Sequence, residues 1–120
     1  MRGRRLFVYG TLMEEERLRA LTGRRFPRRV ARLAGWKRIT TRAGYPGIAR
    51  APGAHVDGLV IDGLDAAALA ALDAYEDEGR LYLRHRVAVT SEGRRLACEA
   101  YVARTGSPGH ARRRRRASPA

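Results

Sequence analysis

Apolar positions along this chain change their spacing from segment to segment, and each change marks an element. Arg5 to Tyr9 (RLFVY) is a short β-branched and aromatic run stopped by Gly10, the pattern of a buried first strand that ends in a tight turn. Thr11 is placed to cap a helix from about Leu12 to Leu21, with Glu14, Glu15 and Glu16 in its first turn, where the helix dipole favours anions. Thr22 and Gly23 end it. From Arg28 to Thr40, Val30, Leu33, Trp36 and Ile39 alternate imperfectly with arginines, which fits a long bent strand interrupted at Ala34 and Gly35. Gly44 to Ile48 (GYPGI) predicts a turn into a brief extended piece, and Pro52–Gly53 another turn before a strand over Val56 to Leu64. Asp65 is a good N-cap for AAALAALDAYE, an Ala- and Leu-rich helix that ends between Glu76 and Gly79. Tyr82 to Thr90 and Leu96 to Ala103 alternate on either side of Ser91 to Arg94, a hairpin by pattern. The order strand, helix, strands, helix, hairpin predicts a mixed α+β domain with a curved sheet.

Composition refines this picture in three ways. At 120 residues with 44% hydrophobic side chains, the chain is long enough for one domain with its own core. The expected domain spans residues 1–104, because 105–120 contains five consecutive arginines (Arg112 to Arg116) and no periodic apolar face, the composition of a disordered tail. No apolar run approaches the ~20 residues of a membrane-spanning helix, and only a short apolar run precedes Gly10, so neither membrane insertion nor export is expected. Cys98 is the only cysteine, which excludes a disulfide within these 120 residues and fits a reducing, cytoplasmic compartment.

The formal net charge of +13 is unevenly spread: +11 over residues 1–50, −3 over 51–110 and +5 over 111–120. It opens the possibility of a nucleic-acid or polyanion partner held by the basic first half and the Arg tail. Against that reading, 24 of the 25 basic residues are arginine amid abundant Ala and Gly, a compositional bias as much as a binding signature.

Two places can carry chemistry. With Leu69 at zero on the helical wheel, Leu72 falls at about 300° and Glu76 at about 340°, so Glu76 lies on the apolar face. Burial and the negative end of the helix dipole both favour the neutral acid there, raising the pKa toward a range useful for proton transfer. The alternative is a frayed last turn in which Glu76 pairs with one of the many arginines. The second place is VYGTLM, a strand, a glycine and a helix start whose free N–H groups can hold a carboxylate or an oxyanion. The alternative there is an ordinary tight turn, since the glycines of a dinucleotide or phosphate loop are missing. His55, His85 and His110 have no ligand-like spacing to one another or to Cys98, and no metal site is expected. Ser91, Ser107 and Ser118 lack a nucleophile elbow, and Tyr82 and Tyr101 read as hairpin residues filling the core or lining a pocket.

Taken in order, LFVYGTLM (Leu6 to Met13), GYPGI (Gly44 to Ile48), VDGLVIDGL (Val56 to Leu64), LDAYE (Leu72 to Glu76), YLRHRVAV (Tyr82 to Val89) and EAYV (Glu99 to Val102) resemble the gamma-glutamylcyclotransferase-like family in its AIG2-like branch. The resemblance covers roughly residues 5–103. It implies a small α+β fold built around a closed, barrel-like mixed sheet with flanking helices and a pocket at one end. The implied reaction is cofactor-free and metal-free cleavage of a small-molecule γ-glutamyl amide, whose own α-amino group attacks the γ-carbonyl to give 5-oxoproline and a free amine or amino acid. In that comparison Glu76 matches the catalytic glutamate, and Tyr9, Gly10, Thr11, Leu12 and Met13 match the substrate loop. Asp77 to Leu81 separate Glu76 from Tyr82 and Arg84, where many members place a glycine directly after the glutamate and reach Tyr-x-Arg sooner. A non-catalytic ligand-binding member of the same fold, or a polyanion binder, is the alternative.

Overall fold

The fold is set by a sheet that closes on itself. The computed structural model describes residues 3–41 and 44–104; the Arg-rich segment 105–120, expected to be disordered, lies outside the described residues. The elements are β1 (Arg4–Val8), a 3-10 turn (Thr11–Met13), α1 (Glu15–Thr22), β2 (Arg28–Thr40), β3 (Pro46–Leu64), α2 (Ala66–Glu76), β4 (Tyr82–Ser91) and β5 (Arg94–Ala103). Around the barrel the strand order is β1-β3-β2-β4-β5. The ring closes through the parallel pair β1–β5, with Leu6 opposite Glu99 and Phe7 opposite Ala100; the other pairs are antiparallel. Leu6, Phe7 and Val8 are all buried although successive strand residues point to opposite faces. β1 is therefore covered on both sides, as its uninterrupted apolar run predicts.

The bent strand expected over 28–40 forms, and its bend has a definite cause. Gly35 takes the left-handed conformation at φ 88°, and the β2–β3 register shifts there: β2 advances from Ala34 to Trp36 while β3 advances from His55 to Arg50. The Pro52–Gly53 turn predicted from the sequence is this bulge. It does not end the strand, because β3 resumes pairing beyond it from Arg50 to Pro46. The bulge turns the outer half of the β2–β3 ribbon across one end of the barrel, where the Tyr82 hydroxyl donates to Pro46 O at 2.6 Å.

The first helix departs from expectation. Thr11 does not cap it. The residues Thr11–Met13 form a 3-10 turn, Glu14 is extended (φ −80°, ψ 118°), and α1 starts at Glu15. The reason is tertiary: the Thr11 hydroxyl lies 2.9 Å from the Tyr75 hydroxyl on α2, and the Arg28 guanidinium bonds to Met13 O. Both contacts pull the segment off a helical path. By contrast, Asp65 caps α2 as predicted, accepting from Ala68 N–H at 2.8 Å, and the hairpin turns at Glu92–Gly93 between Ser91 and its partner Arg94.

Gly58 on β3 makes the closest passage in the barrel. A Cβ built there would lie 2.3 Å from Val8 O and 2.9 Å from the Phe7 ring. Gly58→Ala is therefore expected to destabilise the fold by about 3 kcal/mol and to lower Tm by of order 10 °C. Thermal unfolding followed by circular dichroism checks this, and an unchanged Tm would show that β1 and β3 are not so tightly apposed.

The uneven charge along the chain is also resolved by folding. Arginines of the basic first half meet carboxylates of the acidic middle: Arg4 with Glu99, Arg5 and Arg29 with Asp62, Arg32 with Asp57, Arg24 with Asp65. These pairs are largely exposed and each adds little stability, but they neutralise part of the surface that a polyanion would need. Among the described residues no helix is long and apolar enough to cross a membrane.

Candidate active site

Strand directions bring several segments to the same end of the barrel. β1 ends there at Val8–Tyr9; β5, parallel to it, ends there at Tyr101–Ala103; β4, antiparallel to β5, begins there at Tyr82. The last turn of α2 delivers Glu76 to this end. Ala68, Leu69, Leu72 and Glu76 are the buried positions of α2, so the carboxyl follows the apolar face inward as the helical phase requires. The helix stops one residue later, where Asp77 adopts the left-handed conformation at φ 59° and Glu78 N–H donates to Asp73 O at 2.9 Å.

Glu76 is completely shielded from solvent, and among the described residues neither of its carboxyl oxygens has a hydrogen-bond partner. It does not form the arginine pair that a frayed helix end would offer. A bare carboxylate in such a place is strongly disfavoured, and burial raises its pKa from the ordinary 4.5 to about 9. Burial therefore favours the neutral acid at physiological pH.

Three tyrosines and an ion pair surround this end. The Tyr9 hydroxyl donates to Tyr101 O at 2.6 Å, and the Tyr101 hydroxyl donates to Asp73 Oδ1 at 2.6 Å. Asp73 in turn receives Arg84 Nη1 at 3.1 and 3.0 Å on its two oxygens, and Arg84 Nε lies 3.6 Å from Glu99 Oε2. The phenol of Tyr9 is pushed above its usual range, first by burial and then by the proximity of Tyr82 and Glu76, with Arg38 acting in the opposite sense. Burial likewise raises Tyr101, followed by its bond to Asp73. Both stay protonated donors around the acid.

Of the five loop residues singled out from the sequence, Tyr9 is near enough to Glu76 for the carboxyl's charge to raise its phenol, and Thr11 meets Tyr75 on the helix that carries Glu76. Leu12 is fully buried in the core, so it can serve a ligand only through the main chain; Met13 is partly buried against it, with its N–H donating to Gly10 O at 2.9 Å. Asp73, Arg84 and Arg38 were not legible as site residues. Asp73 lies three positions before Glu76 on the same helix, and Arg84 sits directly opposite Tyr101 in the hairpin register, so spacing and register together carry the signal for both. His55 lies beside Asp57, His85 packs edge-on against Trp36, and His110 lies outside the described residues. Cys98 is a free, buried thiol whose pKa burial pushes up to about 12.

A closed five-stranded barrel flanked by two helices defines a protein of the gamma-glutamylcyclotransferase fold class. Residues 6–118 match the family described as Gamma-glutamyl cyclotransferase, AIG2-like, and the chain belongs to that family. A Methanocaldococcus jannaschii protein, whose name joins gamma-glutamylcyclotransferase to a provisional RNase assignment, is 31% identical over 100 residues. The match takes in 81% of this chain, which spans 45% of the relative's length. In three dimensions the chain is similar to an Arabidopsis thaliana protein solved in solution, with TM-score 0.75, 27% identity, and coverage of 88% of this chain and 72% of that one. It shares the fold of a solved gamma-glutamyl cyclotransferase at TM-score 0.69 and 23% identity, over 84% of this chain and 66% of the other.

Proposed function

We propose that the protein is a gamma-glutamylcyclotransferase in which Glu76 is the sole proton-transfer group. The observation that carries this reading is the burial of Glu76 with both oxygens unpartnered beside Tyr9. A structural carboxylate would be paired; one buried with no partner among the described residues is poised for a substrate that brings its own.

A γ-glutamyl amide brings an α-ammonium group. In the complex the Glu76 carboxylate takes a proton from that ammonium, and the freed amine attacks the γ-carbonyl to close a five-membered ring. Main-chain N–H groups of the loop after β1, apart from that of Met13, which donates to Gly10 O, are the donors assigned to the developing oxyanion. Glu76 then returns the proton to the amide nitrogen as its bond to the γ-carbon breaks, and the second proton of the ring nitrogen passes to the departing amine, releasing 5-oxoproline and a protonated amine or amino acid. Because the substrate supplies the nucleophile, no serine, cysteine or lysine nucleophile is required. In this reading the protein acts in the cytoplasm, where Cys98 stays reduced.

The purified protein is expected to release 5-oxoproline from at least one member of a panel of γ-glutamyl amino acids, γ-glutamyl amines, the γ-glutamyl-lysine crosslink and glutathione, followed by product chromatography. Absence of release from the entire panel would leave a ligand-binding protein on the same scaffold and end the catalytic reading.

A further inference from the structure

We propose that Arg38 is the residue that binds the α-carboxylate of the glutamyl group and thereby places the attacking amine; this rests on the cyclotransferase reading. Arg38 lies on β2 just past the Gly35 bulge, where the ribbon crosses the end of the barrel that holds Glu76. Its Nη1 donates to Tyr9 O at 2.8 Å and its Nη2 to Asp57 O at 3.2 Å. The guanidinium carbon stands 5.8 Å from the centre of the Tyr9 ring. Tyr9 is thus the shared neighbour of Arg38 and of Glu76.

What sets Arg38 apart from Arg84 is the kind of partner it has. Arg84, another arginine at this end, is engaged by the carboxylates of Asp73 and Glu99. Arg38 is held by two neutral carbonyls, and among the described residues no carboxylate pairs with it. Carbonyls orient a guanidinium without cancelling its charge. Of the five N–H donors of an arginine, these bonds leave Nε and one on each Nη. The side chain is exposed, so they open to solvent beside the loop after β1. That is a fixed, unneutralised fork of the shape a carboxylate takes in two parallel bonds. The glutamyl α-carbon bears both the carboxylate and the amine, so holding the first orients the second.

The test compares γ-glutamyl ethylamide with the same molecule carrying an α-carboxamide, in wild-type protein, Arg38→Gln and Arg38→Lys. Wild type is expected to prefer the carboxylate by about 10- to 100-fold in kcat/KM, Arg38→Gln to bring that preference near unity, and Arg38→Lys to restore part of it. A residue that only shaped the loop would lower both rates together and keep the ratio; that result overturns the proposal. A penalty on γ-glutamylalanine without one on γ-glutamyl ethylamide overturns it too, since it moves Arg38 to a carboxylate on the leaving amine. Binding of 5-oxoproline and of 2-pyrrolidinone, which lacks the carboxylate, followed by NMR shifts, separates the two readings. Arg38-dependent binding of 5-oxoproline with no turnover of any substrate keeps the subsite and removes the activity. Turnover with an unchanged ratio in Arg38→Gln keeps the activity and removes the subsite. Neither turnover nor binding by wild type removes both.

Discussion

Glu76→Gln is expected to lower 5-oxoproline release by about 10²- to 10⁴-fold, the usual span for loss of acid–base catalysis, while making the folded protein more stable. The amide keeps the shape of the side chain and removes the proton it shuttles. The stability gain follows from linkage. The folded-state pKa of Glu76 is raised from 4.5 to about 9, so below pH 4.5 the acid is neutral in both folded and unfolded chains. Above 4.5 the unfolded chain ionises first, and stability is lost steadily until pH 9. Glutamine escapes that loss. The variant should match wild type near pH 4 and exceed it by of order 2–4 kcal/mol at pH 7.5, read from urea unfolding at the two pH values. Its neighbours serve as controls: Asp77 pairs with Arg80 at 3.0 Å, and Glu78 Oε2 accepts from Arg84 N–H at 3.2 Å. Near-normal activity in Glu76→Gln, with the loss appearing in Asp77→Asn or Glu78→Gln instead, would displace Glu76 from its role.

The pH dependence of the reaction is the second large effect. The ammonium of the substrate must meet an ionised Glu76, yet burial favours the neutral acid below about pH 9. At neutral pH, binding therefore has to release a proton, and kcat/KM should rise about tenfold per pH unit on its acid side before levelling near pH 9, a gain of roughly 100-fold from pH 7 to pH 9. Titration of the substrate ammonium lowers the rate again at higher pH. Once the complex has formed, the ion pair favours the carboxylate, so kcat should change far less than kcat/KM across the same range. A profile already flat from pH 6 upward would mean that Glu76 ionises normally and is not sealed from water.

Local pattern was sufficient for much of this molecule. Phe7, Leu6 and Val8 announce a strand covered on both faces; Asp65 and the Ala-Leu run announce α2; the phase of Glu76 against Leu69 and Leu72 announces that its carboxyl turns inward. Each of these depends on chemistry within a few residues, where the backbone period alone decides which way a side chain faces. The helix cap that Thr11 predicts does not form because the competing partner, Tyr75, is 64 residues away in sequence.

Local periodicity places β1, β2, α2 and the β4–β5 hairpin, puts Glu76 on the apolar phase of its helix, and marks the interruption of β2 at Ala34 and Gly35. Long-range packing leaves Glu76 without a hydrogen-bond partner among the described residues, joins Asp73, Arg84 and Tyr101 in one network, and rests Arg38 on Tyr9. Closure of the barrel through the parallel β1–β5 pair sets all three, because it alone brings the ends of β1 and β5, the start of β4 and the last turn of α2 to one place. Whether a buried charge finds a counter-charge depends on that meeting of distant segments, which no local period encodes.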